Sequence, residues 1–283
     1  MTKLRTLLLL GRVSNLPTVW SNCLAGWWLG GGGNFSRLPF LFVGVTLLYV
    51  GGMFLNDAFD EQFDRQHRKE RPIPSGAISR GLVWRWGFGL LAAGEGLLFG
   101  GGLTAGILGI VLALFILIYD AVHKAVTFSP LLMGACRFLV YLIAGATGVL
   151  GVSGGAIWCG LALAVYVVGL SFLARSESTR GHVSYWPATL LAAPVALALL
   201  MNAGAYREPA MLLSLLLVCW VARCLRPTFW TAMPNVGRTV TGLLAGIVFV
   251  DWLAAVQAPR ELGFAFLALF GAALLFQRFV PAT

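Results

Sequence analysis

The chain of 283 residues has 59% hydrophobic and 11% charged side chains, with a mean hydropathy of +0.84. Soluble domains carry about a quarter charged residues, so an ordinary soluble domain is excluded. A net charge of +9 would suit nucleic acid, but the basic residues form no patch with interleaved aromatics, which argues against that partner. Cys23, Cys136, Cys159, Cys219 and Cys224 lack paired spacing and read as small buried hydrophobes, without a disulfide framework or zinc motif. His67, His123 and His182 leave little material for a transition-metal or haem site.

From the amino end, Lys3 and Arg5 precede a short leucine run that Gly11-Arg12 interrupts. No small-residue cleavage site follows, so this reads as a cytosolic lead-in and not a signal peptide. Apolar runs of ~18–25 residues then recur, each long enough for a helix to cross a bilayer with its backbone groups paired internally. They predict helices near 14–31, 39–58, 82–101, 104–121, 130–151, 156–174, 186–203, 209–226, 236–256 and 261–279. The fold class expected is an all-α integral membrane protein, a bundle of about nine to ten transmembrane helices around a central cavity. Gly30–Gly33, Gly100–Gly102 and the stretch 151–155 mark tight turns on one side, and the connections 59–81, 122–129 and 175–185 lie on the other. Of the twenty Lys and Arg, only Arg37, Arg207 and Arg260 fall on the glycine-turn side. By the positive-inside rule both termini and the long connections face the cytosol, in an inner (cytoplasmic) membrane of bacterial type. The whole chain, 1–283, is expected to be one domain. A weak echo of Phe54-Leu55-Asn56-Asp57 in Phe172-Leu173-Ala174-Arg175 suggests pseudo-repeats over roughly 1–125 and 126–230, followed by helices in 231–283.

At the end of the apolar run Phe40–Leu55 stands Asn56-Asp57-Ala58-Phe59-Asp60-Glu61-Gln62-Phe63-Asp64. On a helix Asp57, Asp60 and Asp64 share one face, with Glu61 beside them. Like charges stacked there repel by a few tenths of a kcal/mol per pair, and desolvation at a membrane edge adds to that. Such a cluster calls for a cation, and all-oxygen donors favour a hard ion such as Mg²⁺, which keeps waters or phosphate oxygens in its shell. The alternative is a solvated acidic patch ending the helix. Arg65, Arg68, Lys69 and Arg71 follow at once, then Pro72-Ile73-Pro74-Ser75-Gly76, so cations stand beside the acids as a metal-bound diphosphate would require. Ordinary positive-inside loop charge would give the same residues.

The order apolar span, N-D-x-x-D-x-x-x-D, basic loop, R-P-I-P-S-G-x-I-S resembles the UbiA superfamily of intramembrane prenyltransferases, as does the lead-in Arg12-Val13-Ser14-Asn15-Leu16-Pro17-Thr18. The resemblance implies a Mg²⁺-dependent enzyme that moves a prenyl group from an isoprenyl diphosphate to a lipophilic, often aromatic, acceptor. By it Asp57, Asp60 and Asp64 hold the metal, Asn56, Arg68 and Arg71 contact the diphosphate, and membrane lipids surround the whole. The family's Tyr-Pro-x-x-Lys-Arg element is matched by Tyr119-Asp120-Ala121-Val122-His123-Lys124, which offers Tyr119 to the substrate and Lys124 to catalysis; a helix-ending cation explains Lys124 equally well.

The family's second aspartate-rich motif is degenerate here, reading Ala174-Arg175-Ser176-Glu177-Ser178-Thr179-Arg180. Either Glu177 alone serves a metal, or Arg175 replaces the second ion, or ionisation is lost. Arg137 is placed to reach the diphosphate, to pair with Asp120 or Glu177, or to snorkel to the interface. Glu95 and Asp251 are expected to hydrogen-bond within the bundle, and Trp20 and Asn22 to line the cavity, unless Trp20 anchors the interface. A non-catalytic prenyl-lipid or hydrophobic-metabolite binding protein, assisting transport or assembly, is the competing reading. A secondary transporter fits less well, because the acids gather at one rim and not at the bilayer midplane.

Overall fold

The computed structural model describes residues 3–175, 184–231 and 233–281, and among these the chain is helix and turn without strands. The helices are α1 (Lys3–Leu10), α2 (Leu16–Leu29), α3 (Leu38–Phe59), α4 (Glu61–His67), α5 (Arg80–Gly101), α6 (Leu103–Val122) and α7 (Ser129–Thr147). They continue as α8 (Gly154–Arg175), α9 (Trp186–Leu190), α10 (Ala193–Met201), α11 (Arg207–Phe229), α12 (Val236–Ala254) and α13 (Arg260–Phe276). Six stretches among the described residues are long and apolar enough to cross a membrane: Phe35–Phe59, Leu103–Val122, Ser129–Thr147, Gly154–Arg175, Gly204–Phe229 and Val236–Ala254.

The remaining expected spans are helical but differ in detail. α2 and α13 have 14 and 17 residues, and α5 is diluted by Arg85, Glu95 and its glycines. The continuous helix expected over 186–203 is instead two short ones, α9 and α10. Pro194 accounts for the break: it has no N–H for the carbonyl of Leu190, and its ring clashes with that turn.

α2 is the central post. Nearly all of Leu16–Trp27 is buried, and α2 packs against α3, α7, α8, α12 and α13. Around it, α3 lies on α5, α5 on α6, α6 on α7 and α7 on α8, while α11 packs on α12 and α12 returns to α2 and α8. The α3–α5 pair is close because glycines meet: a Cβ on Gly51 would stand 2.9 Å from the Gly87 carbonyl oxygen, and one on Gly94 2.7 Å from that of Gly44. Without a hydrophobic drive between helices in lipid, such small-residue seams let backbones approach.

A second, smaller core positions the polar rim. Leu10 of α1, Phe54 and Ala58 of α3, Ile73 of the connection and Val83 of α5 are buried together. This cluster pins the 68–79 connection over the end of α3, so that Arg71 and Arg12 are delivered to the same carboxylate.

Candidate active site

The helix of α3 runs almost without a break into α4. Asp60 keeps right-handed helical dihedrals at the junction, and its carbonyl accepts from the Asp64 amide at 2.9 Å. Asp57, Asp60 and Asp64 therefore fall on one face, as their spacing predicts, but each meets different partners. Asp57, 4% exposed, takes Arg71 Nη1 at 3.1 Å and Arg12 Nη2 at 3.4 Å on the same oxygen. Asp60 faces Lys124 Nζ at 2.8 Å and His123 Nε2 at 3.4 Å. Asp64 is 3% exposed, and its Oδ1 is a buried atom with no hydrogen-bond partner among the described residues. Glu61 turns aside to Arg65 and Arg80.

The electrostatics follow from these contacts. Burial pushes the Asp60 carboxyl up, but hydrogen bonds from His123 and Lys124, with their charges, outweigh it and hold the group below its ordinary value. At Asp64 burial wins over the attraction of Arg71 and Lys124, and its carboxyl is raised. Burial lowers both arginines; beside Arg12 the charge of Asp57 prevails and raises it, whereas at Arg71 burial and repulsion from Arg12 prevail.

Arg12 reaches the site from an unusual backbone. It lies between α1 and α2 at φ 40°, ψ 49°, a left-handed conformation that costs a non-glycine residue about 1–2 kcal/mol. From there Nη2 also donates to Asn56 Oδ1 at 3.1 Å. Asn56 in turn donates through Nδ2 to Asp120 Oδ1 at 3.0 Å. Asp120 is 3% exposed, and its other oxygen, Oδ2, is buried without a partner among the described residues.

Beneath the acids lies a cavity of about 80 Å³ between α2, α3, α6 and α7. Its walls are mostly apolar, including Val19, Gly52, Met53, Leu112 and Ile116, with Tyr49, Tyr119, Asp120 and Arg137 as the polar or charged contributions. Tyr119 stacks on His123 with ring centroids 5.0 Å apart, and Lys124 sits 3.8 Å over the Phe63 ring.

The remaining expected residues meet other partners. Arg137 neither pairs with Asp120 nor snorkels; it donates to Asn22 Oδ1 at 2.6 Å and Thr18 Oγ1 at 3.1 Å, held inside the bundle by α2. Arg175 donates to the carbonyls of Val126 and Thr127 at 2.8 and 3.0 Å and to Ser129 Oγ at 2.9 Å, tying the end of α8 to the 122–129 connection. Arg68 is exposed, and Glu177 lies outside the described residues. Asp251 accepts from Ser21, from Asn22 at 2.7 Å and from Tyr141 at 2.6 Å, the bundle hydrogen bonding expected of it, whereas neither oxygen of Glu95 finds a partner among the described residues. Trp20 donates to Thr46 at 2.9 Å. Sequence reasoning passed over Arg12 and Asp120 as site residues. Asp120 could have been found as an acid buried in an otherwise apolar run, but nothing local marks Arg12 as adjacent to Asp57.

Whether this rim suits a divalent ion can be tested on its donors. The unpartnered, buried Oδ1 of Asp64 and the all-oxygen set fit a hard cation. Among the described residues no three His, Cys, Asp or Glu side chains converge closely enough to hold a metal by themselves. Such an ion would draw further ligands from phosphate and water, as Mg²⁺ ordinarily does.

A model of the UbiA prenyltransferase family matches residues 16–234. A digeranylgeranylglyceryl phosphate synthase of Methanoregula boonei is 37% identical over 106 residues, which cover 36% of this chain and 37% of the relative. One of Thermococcus kodakarensis is 31% identical over 131 residues, covering 46% of this chain and 42% of the relative. The matches thus span less than half the length of these curated relatives. In three dimensions the chain superimposes on a UbiA homolog from Aeropyrum pernix K1 with a TM-score of 0.64 at 17% identity, covering 87% of this chain and 97% of the other. A structure concerned with digeranylgeranylglyceryl phosphate synthase in membranes gives 0.62 at 21% identity, over 96% and 99%. At those identities the superpositions establish the fold.

Proposed function

Because the chain belongs to the UbiA prenyltransferase family and is an integral membrane protein, we propose that it transfers a prenyl group from an isoprenyl diphosphate to a lipophilic acceptor within the bilayer. The observation that carries this reading is the stacking of a charged rim on an apolar cavity: Asp57, Asp60 and Asp64 with Arg12, Arg71 and Lys124 above, the pocket of α2, α3, α6 and α7 below. We place the rim, the termini and the long connections on the cytosolic face of a cytoplasmic membrane, in a bundle crossing it nine or ten times.

In this reading the diphosphate lies at the rim. Arg12, Arg71 and Lys124 take up the negative charge that builds on the departing group, and they are already oriented by Asp57 and Asp60. Preorganised charges in a water-poor site contribute several kcal/mol to such a step. Mg²⁺ held by Asp57, Asp60 and Asp64 would add Lewis-acid neutralisation of the same oxygens. Asn56 and Tyr119 position the head group at the cavity mouth. The allylic carbon then faces walls of Val, Leu, Ile and Met that exclude water, and the chain leaves toward lipid, since about 80 Å³ cannot enclose a long prenyl tail. The name of these relatives describes a glyceryl phosphate bearing two geranylgeranyl groups, which favours a prenylated glyceryl lipid over an aromatic ring as acceptor.

A non-catalytic prenyl-lipid binder is favoured by one observation: Arg175, at the place of the second acidic motif, is engaged with backbone carbonyls of the 122–129 connection. Purified protein in nanodiscs, given Mg²⁺, geranylgeranyl diphosphate and an acceptor, separates the two. Release of diphosphate coupled to a prenylated product supports the enzyme, and D60A should abolish it while the protein remains inserted. Binding without turnover across glyceryl and aromatic acceptors, or near-normal activity in D60A, overturns it.

A further inference from the structure

We infer that Asp120 is the group that meets the acceptor: its free carboxylate oxygen receives the hydrogen bond, and then the proton, of a hydroxyl on the lipid to be prenylated. The inference rests on the proposed transfer reaction and deepens it by naming the acceptor as an alcohol.

Asp120 stands on α6 one turn before Lys124, and so one turn below the cation that pairs with Asp60. Its Oδ1 is engaged by Asn56, whose own Oδ1 accepts from Arg12. The carboxylate is therefore fixed by one oxygen directly beneath the rim, and it is among the residues that line the cavity. Its Oδ2 is buried with no partner among the described residues. An unpaired buried acceptor costs about 1–3 kcal/mol, more when charged. Buried polar atoms in folded proteins are nearly always satisfied, so an exception calls for an explanation.

The neighbours narrow what could satisfy it. Arg137, the other charged residue of the cavity wall, is committed to Asn22 and Thr18. His123 turns its Nδ1 to within 3.3 Å of the backbone carbonyl of Asp120, not its side chain. Of the wall's other donors, Tyr49 gives its hydroxyl to the Arg12 carbonyl at 3.4 Å, and neither Tyr119 nor the thiol of Cys136 hydrogen-bonds Oδ2, so the missing partner is a donor brought by what enters the cavity. An isoprenyl chain has no such donor and the diphosphate is an acceptor of hydrogen bonds. The acceptor substrate is what remains.

The step balances simply. The acceptor oxygen bonds to the allylic C1 while the C1–O bond to diphosphate breaks. The electron pair leaves on the diphosphate at the rim, and the hydroxyl proton passes to Asp120 Oδ2. A site built to hydrogen-bond a substrate hydroxyl discriminates strongly in favour of it.

The test uses the full-length protein in nanodiscs with geranylgeranyl diphosphate as donor and a long-chain 1-O-alkylglycerol phosphate as acceptor. D120N is nearly isosteric and keeps an oxygen for Asn56. It should bind the donor within about threefold of wild type, yet lose transfer to the alcohol by about a hundredfold or more, a scale typical of general-base removal, and lose transfer by far more than it loses acceptor-independent release of diphosphate. D120E should recover part of the transfer. Transfer by D120N within threefold of wild type overturns the inference, as does equal loss of diphosphate release and transfer, which would assign Asp120 to the donor or to folding. If the wild type releases no diphosphate and prenylates neither this alcohol nor an alkyl 4-hydroxybenzoate, the transfer reading fails first and the assignment of Asp120 falls with it.

Discussion

Replacing Asp57 with asparagine removes the carboxylate shared by Arg12 and Arg71 while keeping its shape. The contacts are 3.4 and 3.1 Å, and the side chains are 22%, 17% and 4% exposed for Arg12, Arg71 and Asp57. At an effective dielectric of about 20, each contact near 3 Å is worth roughly 5 kcal/mol of attraction before desolvation and the repulsion between the two guanidiniums are counted. Breaking a fully buried pair costs about 3–5 kcal/mol, and the residual exposure of both arginines lowers the expectation to about 2–3 kcal/mol. The assay is a thermal midpoint in detergent with chelator present, with and without inorganic diphosphate. D57N should melt several degrees below wild type, and saturating diphosphate should restore more of its stability than it adds to wild type, because the anion replaces the missing countercharge. A double-mutant cycle with R71Q should recover about 1–2 kcal/mol of coupling. A D57N protein that melts with wild type and responds no more strongly to diphosphate would refute the pairing and the anion site together.

Asp64 should behave in the opposite sense. D64N keeps an amide oxygen but removes the buried charge, whose desolvation outweighs the attraction of Arg71 and Lys124, so it should be no less stable than wild type while prenyl transfer falls by about a hundredfold; a clearly less stable D64N contradicts the dominance of burial at this carboxyl. The pH dependence of stability has a defined sign at Asp60, whose folded value is held below its ordinary 3.8. Its contribution is complete above the ordinary value and lost as pH falls through the depressed one, and K124M should move that loss to higher pH in an acid titration of the thermal midpoint. At position 12, glycine and alanine both delete the guanidinium, but alanine must hold a φ of 40°. R12G should therefore outlast R12A by about 1 kcal/mol, and equal midpoints would mean that the turn relaxes.

How much of this was legible in the sequence varies by the range of the interaction. The helices were readable because a bilayer demands long apolar runs, and Asp57, Asp60 and Asp64 were readable because helical spacing of three and four needs no tertiary information. Pro194 was present in the run 186–203, but hydropathy alone hid the break it makes. The fate of Arg137 was not readable, since Asn22 and Thr18 lie 115 and 119 positions earlier. Arg12 was unreadable in the same way: it meets Asp57 only because α1 packs by Leu10 against Phe54, Ala58 and Ile73. The degenerate second motif was visible, yet the engagement of Arg175 with the 122–129 connection depends on how α8 ends beside α7.

Two polar systems run through the bundle, and the completeness of their hydrogen bonding separates them. Around Asp251 each oxygen is met: Tyr141 donates to one, Ser21 and Asn22 to the other, and Asn22 is in turn met by Arg137. Thr18, Ser21 and Asn22 are spaced three and four apart, so one face of α2 supplies the polar groups that join it to α7 and α12. A fully satisfied network in low dielectric rigidifies and specifies packing, which is what the central helix of the bundle requires. The system at the rim is unfinished by comparison, with Asp64 Oδ1 and Asp120 Oδ2 both buried and unmatched, and with Arg12 held in a strained turn to reach it. Glu95 shows that an orphaned acid alone is no sign of chemistry, for it lies against Gly109 of α6 and is not among the residues lining the chamber beneath the rim. What distinguishes the rim is the company its unsatisfied oxygens keep: Asp64 lies in the field of Arg71 and Lys124, and Asp120 stands in the wall of an apolar chamber. An arrangement that leaves one oxygen unmatched at the rim and another in the cavity wall is complete only when something charged lies across the rim and something protic lies beneath it.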